Sequence, residues 1–415
     1  MTGELVLRRL FQASFFSFAL FVPFSIAGMN FAFGFGALAW IISFFAFRGA
    51  RSRPSSGGIS VRQDPMLLAS VLLVVSAIPS VLMSQDSSRA TTDWLSYWEL
   101  LIYFLVAANV LAVRMREVAF WALVAAATLS CVGALIERGG GLNFWFLHIP
   151  ARYRVSSTLY PMTLAGILYQ LIMLNCAVLL TTGMKPRWRF VLGAGTAVQV
   201  AALMLTMTRG AWLALAVGLV ALCMLVRRRA LTLVAVGLMA ALVLFSLVNF
   251  HSQGRSIPEL ARSGLDRDAA TRVVLWDIAW DLFREHPLLG VGMGDYTIEA
   301  DKLLAGRSVT TTVDTHNVYL HILATRGLVG FVPFLFFWVA LFRSLCALKG
   351  RLEKGSLDYQ YVVGATAAAI AVLVGALTEL NIDDGEVFMA FMFIMGLALS
   401  RAYAGPAVGT ESRGS

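Results

Sequence analysis

Met66 to Met83 reads MLLASVLLVVSAIPSVLM, eighteen residues without a charge. A helix rises about 1.5 Å per residue, so the run measures roughly 27 Å against the ~30 Å of hydrocarbon in a bilayer. In lipid, outward-facing side chains must be as apolar as inward-facing ones, and the backbone must satisfy its own hydrogen bonds within the helix. This stretch meets both demands.

Working outward, runs of the same kind recur along the 415 residues. Twelve are predicted as spans, near 11–27, 30–47, 66–83, 94–112, 117–136, 162–182, 190–207, 210–226, 230–249, 327–346, 360–380 and 386–402. They do not alternate apolar and polar as barrel strands do over about ten residues. The chain is 59% hydrophobic and 14% charged, with mean hydropathy +0.76, whereas soluble domains average about 25% charged. The expected fold is an all-α polytopic membrane protein with about twelve transmembrane helices, 1–415 forming a single integral domain.

The cations set the orientation. With Arg8 and Arg9 placed in the cytoplasm, the predicted inner loops hold Arg48, Arg51, Arg53 and Arg62, then Arg114 and Arg116, then Lys185, Arg187 and Arg189. Arg227 to Arg229, Arg343, Lys349, Arg351 and Lys354 follow, with Arg401 and Arg413 in the tail. Both termini are therefore expected in the cytoplasm. The net charge of +9 is a topology signal and implies no nucleic-acid partner. A second span follows the first at once, which favours an uncleaved first helix over a signal peptide. Cys131, Cys176, Cys223 and Cys346 fall in or beside spans without CxxC spacing and read as apolar packing.

Two outer loops exceed a connector: Glu137 to Pro161, and 250–326, on the order of seventy-five residues. The second contains RVVLWDIAWDLFREHP, where Leu275, Ile278, Ala279 and Leu282 recur at helical spacing. An amphipathic helix is predicted near 268–286, ended by Pro287 and lying on the membrane surface or capping the bundle. GVGMG at Gly290–Gly294 lacks the preceding strand and the lysine of a phosphate loop, so no nucleotide role follows.

Three features carry candidate chemistry. In TMTRGAWLAL, Arg209 stands at the outer junction of two apolar spans with no nearby acid. Its guanidinium either snorkels to the interface or is free to take an outside anion as a bidentate donor. Arg272 falls on the row of Trp276, Ala279 and Phe283, an apolar face where a cation needs an anionic partner. In VDTHNVYLHIL, His316 and Asn317 precede the tenth span on a predicted interfacial helix from Val313 to Thr325. A neutral histidine outside the cytoplasm suits a general base on a hydroxyl. His321, five residues on, reads as structural. His316 and His321 lack i,i+4 ligand spacing, and the acidic turn from Asn381 to Glu386 reads as solvation, so no metal is expected.

TRGAWLAL, then Arg272 and Trp276 followed by HPLLGVGMGDY, then DTHNVYLHILATRGLVGF, resembles the O-antigen ligase and polymerase superfamily of bacterial envelope glycosyltransferases. The similarity runs from Thr206 to about Phe331. RVSSTLYPMTLAGIL from Arg154 resembles the family's proline segment more weakly, because the asparagine after the proline is missing. The resemblance implies a metal-independent GT-C type glycosyltransferase that needs no cofactor. Its donor would be undecaprenyl-diphosphate-linked O-antigen, and its acceptor a sugar hydroxyl of lipid A–core at the periplasmic face of the inner membrane. On that resemblance Arg209 and Arg272 hold the donor diphosphate and His316 is the catalytic base. Asn317, and more weakly Arg154, position substrate.

A polysaccharide polymerase using two lipid-linked glycans needs the same residue types. Transfer of the glycan to protein is a further variant. A flippase for lipid-linked sugars would need charges near the bilayer midplane, and the predicted spans are almost free of them.

Overall fold

A computed structural model describes residues 2–46, 60–109, 113–140, 155–227, 264–304 and 314–404. Fourteen α-helices and no strand occur among them. The helices are α1 Thr2–Phe21, α2 Ile26–Ala46, α3 Pro65–Met83, α4 Ser87–Leu95, α5 Leu100–Asn109, α6 Val113–Gly140 and α7 Pro161–Val178. They continue with α8 Pro186–Leu205, α9 Arg209–Val226, α10 Gly264–Glu285, α11 Tyr296–Leu304, α12 Val318–Lys349, α13 Leu357–Gly375 and α14 Gly385–Ala404.

Nine of the described helices are long and apolar enough to cross a membrane: α2, α3, α6 to α9 and α12 to α14. The chain is an all-α polytopic membrane protein. Two predicted spans take a different form. The first helix is α1, which ends at Phe21 and carries Glu4, Arg8 and Arg9. The predicted span at 94–112 is broken, because Ser96–Glu99 tightens into a 3₁₀ turn between α4 and the ten-residue α5. The predicted span at 230–249 lies outside the described residues.

α7, α13 and α14 form the centre, with 89%, 72% and 78% of their most apolar windows buried, against 22% for α2 at the periphery. α13 packs on α7 and α9, α14 on α5, and α12 on α3. Small residues permit the closest crossings: a Cβ on Gly364 would strike the Leu174 backbone, and one on Gly396 the Tyr103 carbonyl. At one end of the bundle the buried Arg116 pairs with Asp358 at 2.8 Å, and Arg401 approaches the same carboxylate at 3.5 Å. That end is closed by charge pairing.

The opposite end is organised by one break. α12 is two helices joined at Gly327, whose φ of 57° and ψ of −159° are not helical. The segment after α10 runs past this break as backbone. Val291 N donates to Ala324 O at 2.9 Å and Gly292 N to Thr325 O at 3.2 Å; beyond the break, Leu328 N donates to Pro287 O at 2.9 Å and Val329 N to Leu288 O at 3.0 Å. Backbone groups freed by the break therefore find partners in HPLLGVG. Gly290 and Gly327 both have positive φ, and a Cβ on either would collide with the facing backbone. Close approach is what these glycines are for. The following Asp295 is fully buried and accepts from Ser84 Oγ at 2.8 Å and Gln85 N at 2.7 Å, tying α11 to the α3–α4 corner.

Candidate active site

The helix predicted from Val313 begins instead at Val318, for a local reason. His316 has φ 48°, a left-handed conformation that a helix cannot include, and Asn317 is extended. Asn317 Oδ1 then accepts from Leu320 N at 3.1 Å, an N-cap that fixes where the helix starts. Thr315 braces the other side: its Oγ1 donates to Asn317 O at 2.9 Å. Val318 N donates to Ala376 O at 2.9 Å, and Tyr319 OH to Leu373 O at 2.7 Å. The histidine loop is thus docked on the end of α13. Asn317 is buried and its amide oxygen is occupied by the cap, so it shapes the His316 loop.

The residue waiting at the end of α13 is Glu379. Arg272 donates from Nη2 to Glu379 Oε1 at 2.9 Å, while His316 Nδ1 lies 3.4 Å from Glu379 Oε2. One carboxylate faces two of the sequence-predicted residues. All three are partly open, with side-chain exposures of 27% for Arg272, 25% for His316 and 16% for Glu379. A carboxylate opposite Nδ1 favours the proton on that nitrogen and leaves the Nε2 lone pair as the acceptor. Arg272 is delivered by α10, and one turn later Trp276 Nε1 donates to Thr315 O at 2.9 Å. The buried row Leu275, Ile278, Ala279 and Leu282 seats α10 on the bundle through Tyr296, Ala300 and Ala324.

Arg209 opens α9 and is exposed, with no ion pair among the described residues. A Cβ on the next residue, Gly210, would strike Thr378 Oγ1, so the first turn of α9 lies against the neighbour of Glu379. The first turn of α9, Arg272 and His316 therefore all meet the segment Thr378–Glu379. Arg154 lies outside the described residues.

Beside this triad opens a cavity of about 530 Å³, lined by His316, Glu379 and residues from α4, the start of α7, and the 379–387 turn. His321, read from sequence as structural, lines the same cavity and meets the Tyr296 ring edge-on at 5.8 Å. Asp93 stands in the cavity wall. Burial raises its carboxyl above the ordinary range, and the Arg89 charge partly offsets that. Asp314, at the cavity rim, lies 3.9 Å from Arg89. Beneath, Arg326 is 6% exposed, with Nη2 3.6 Å from Asp383, Nη1 bonded to Tyr97 OH, and its guanidinium 5.8 Å from the centre of the Tyr97 ring.

Two participants were missed in the sequence. Glu379 falls within the predicted span at 360–380, and an acid at a span's end is itself a functional signal. Arg326 sits inside the DTHNVYLHILATRGLVGF motif, yet nothing in the pattern tells its buried position from that of a surface arginine.

The fold defines a multi-pass membrane protein with a cavity at one end of its bundle. Residues 194–335, which include Arg209, Arg272, His316 and Arg326, match the family model described as O-antigen ligase. Over that third of its length the chain is similar to the O-antigen ligase family, a likeness that points to a glycosyltransferase-like membrane enzyme. No curated protein matches it significantly.

Proposed function

We propose that the protein is an O-antigen ligase, moving a glycan from undecaprenyl diphosphate to a sugar hydroxyl of lipid A–core without a metal. The observation that carries this reading is Glu379 set between Arg272 and His316, at 2.9 Å and 3.4 Å. Both termini lie in the cytoplasm, the loop over 250–326 and the site face the periplasm, and the protein resides in the inner membrane. The donor's lipid stays among the spans while its diphosphate reaches Arg209 and Arg272.

In the reaction the acceptor oxygen attacks the anomeric carbon from the face opposite the diphosphate, and a new glycosidic C–O bond forms. The C–O bond to the diphosphate breaks, and undecaprenyl diphosphate departs with the bonding electrons. His316 Nε2 takes the hydroxyl proton, and Glu379 stabilises the resulting imidazolium. The arginines hold the charge that grows on the leaving group, an electrostatic task that a divalent cation performs in other transferases. Attack from the opposite face inverts the anomeric configuration.

The test is reconstitution in lipid, in the presence of a chelator, with a lipid-linked glycan as donor and either lipid A–core or a second lipid-linked glycan as acceptor. Glycosylated lipid A–core is the expected product. Lengthening of the lipid-linked glycan alone would make the protein a polymerase, and loss of transfer restored by one divalent ion would sink the metal-free scheme.

A further inference from the structure

The cavity beside His316 does not have the chemistry of the donor's head. Neither Arg209 nor Arg272 lines it. Its two arginines are already engaged, Arg89 with Asp314 at 3.9 Å and Thr297 Oγ1 at 3.0 Å, and Arg326 with Asp383 at 3.6 Å and Tyr97. Against those two cations stand Asp93, Asp314, Glu379, Asp383 and Asp384. A diphosphate entering here would be repelled by those carboxylates.

What the walls do offer is a set of acceptors and one aromatic face. Asp384 is held in place by Thr163, which donates to its Oδ2 at 2.6 Å, and each carboxylate still has lone pairs to accept from a hydroxyl. Ser96 and Thr92 add hydroxyls. At the rim, Tyr160 precedes Pro161 at the start of α7 and is 68% exposed, so its ring is available for a ligand to cover. A pyranose has a face of C–H groups that lies flat on an aromatic ring, and equatorial hydroxyls that point sideways toward such acceptors. The volume of about 530 Å³ exceeds what one such ring needs and lies within the range of small-molecule sites.

We propose that this cavity is the acceptor-sugar subsite, taking an unphosphorylated pyranose that rests on Tyr160 and presents its hydroxyl to His316. The donor side and the acceptor side then meet only at His316 and Glu379, as a displacement with base assistance requires. The inference rests on the transferase reading for the word acceptor, while the sugar specificity of the cavity stands on its lining.

The experiment is isothermal titration of the His316→Ala protein in nanodiscs, so that nothing turns over. The probes are core oligosaccharide released by mild acid from lipid A–core, the same oligosaccharide stripped of phosphate with hydrogen fluoride, and undecaprenyl diphosphate. The stripped oligosaccharide should bind, and the phosphate-bearing form should bind no more tightly, because both arginines of the cavity are already engaged. Adding Tyr160→Ala should weaken the stripped oligosaccharide about tenfold, the loss of one aromatic contact, while Tyr160→Phe stays within about threefold. Undecaprenyl diphosphate should bind all these proteins alike. No oligosaccharide binding, indifference to Tyr160, preference for the phosphorylated form, or a loss of diphosphate affinity in Tyr160→Ala would each overturn the proposal. If the wild-type protein binds the oligosaccharide yet transfers nothing in reconstitution, the transferase reading fails and the sugar subsite stands.

Discussion

Glu379 and Asp383 sit four residues apart on one turn, and each faces an arginine, yet the two pairs differ in kind. Arg326 is almost dry, stacked on Tyr97 and hydrogen-bonded to its hydroxyl, and its one carboxylate partner has no second claimant among the ion pairs described. Arg272 is a quarter exposed, and its carboxylate partner also approaches a histidine. A buried, stacked guanidinium cannot leave its partner without stranding charge in low dielectric. A partly exposed one can exchange a carboxylate for a ligand's phosphate at little cost. The first pair holds the floor of the cavity, and the second is arranged for exchange.

The largest effect should come from the histidine that only the second pair touches. His316→Ala should lower glycan transfer about a thousandfold with thermal stability unchanged, as loss of a general base does. Transfer at the wild-type rate in reconstituted protein would remove the exchangeable cluster from the chemistry. Next, Arg326→Met should destabilise the folded protein by about 2–4 kcal/mol, below the range for a fully dry pair because Asp383 is 34% exposed. Thermal unfolding of the solubilised protein measures this, and an unchanged melting temperature would erase the structural half of the comparison. The smallest effect belongs to Glu379→Gln, which keeps shape and loses charge. It should lower kcat about tenfold to a hundredfold through the unsupported imidazolium, while donor KM holds or falls because Arg272 loses a competitor for phosphate. A raised donor KM with unchanged kcat would mean that Glu379 serves Arg272 alone.

The spans were legible because lipid imposes a length and a composition that any eighteen-residue window reveals, as Met66 to Met83 does. The exceptions are local. At 94–112 the apolar average hid a 3₁₀ turn, and at 313–325 the helical pattern hid a left-handed histidine. GVGMG pairs its backbone with a helix break thirty-odd residues later, which the motif does not encode.

By itself, then, the sequence determined the solvent, the helical class and the motifs it shares with the O-antigen ligase family, because hydropathy and motif spacing are local properties. Only the tertiary structure decided that Glu379 joins Arg272 to His316, that Asn317 is a cap, and that Tyr160 lines the same cavity as His316. Those facts depend on side chains from α4, α7, α10, α12 and the turn after α13 meeting at one end of the bundle. Packing between distant segments brings them there, and no window along the chain contains it.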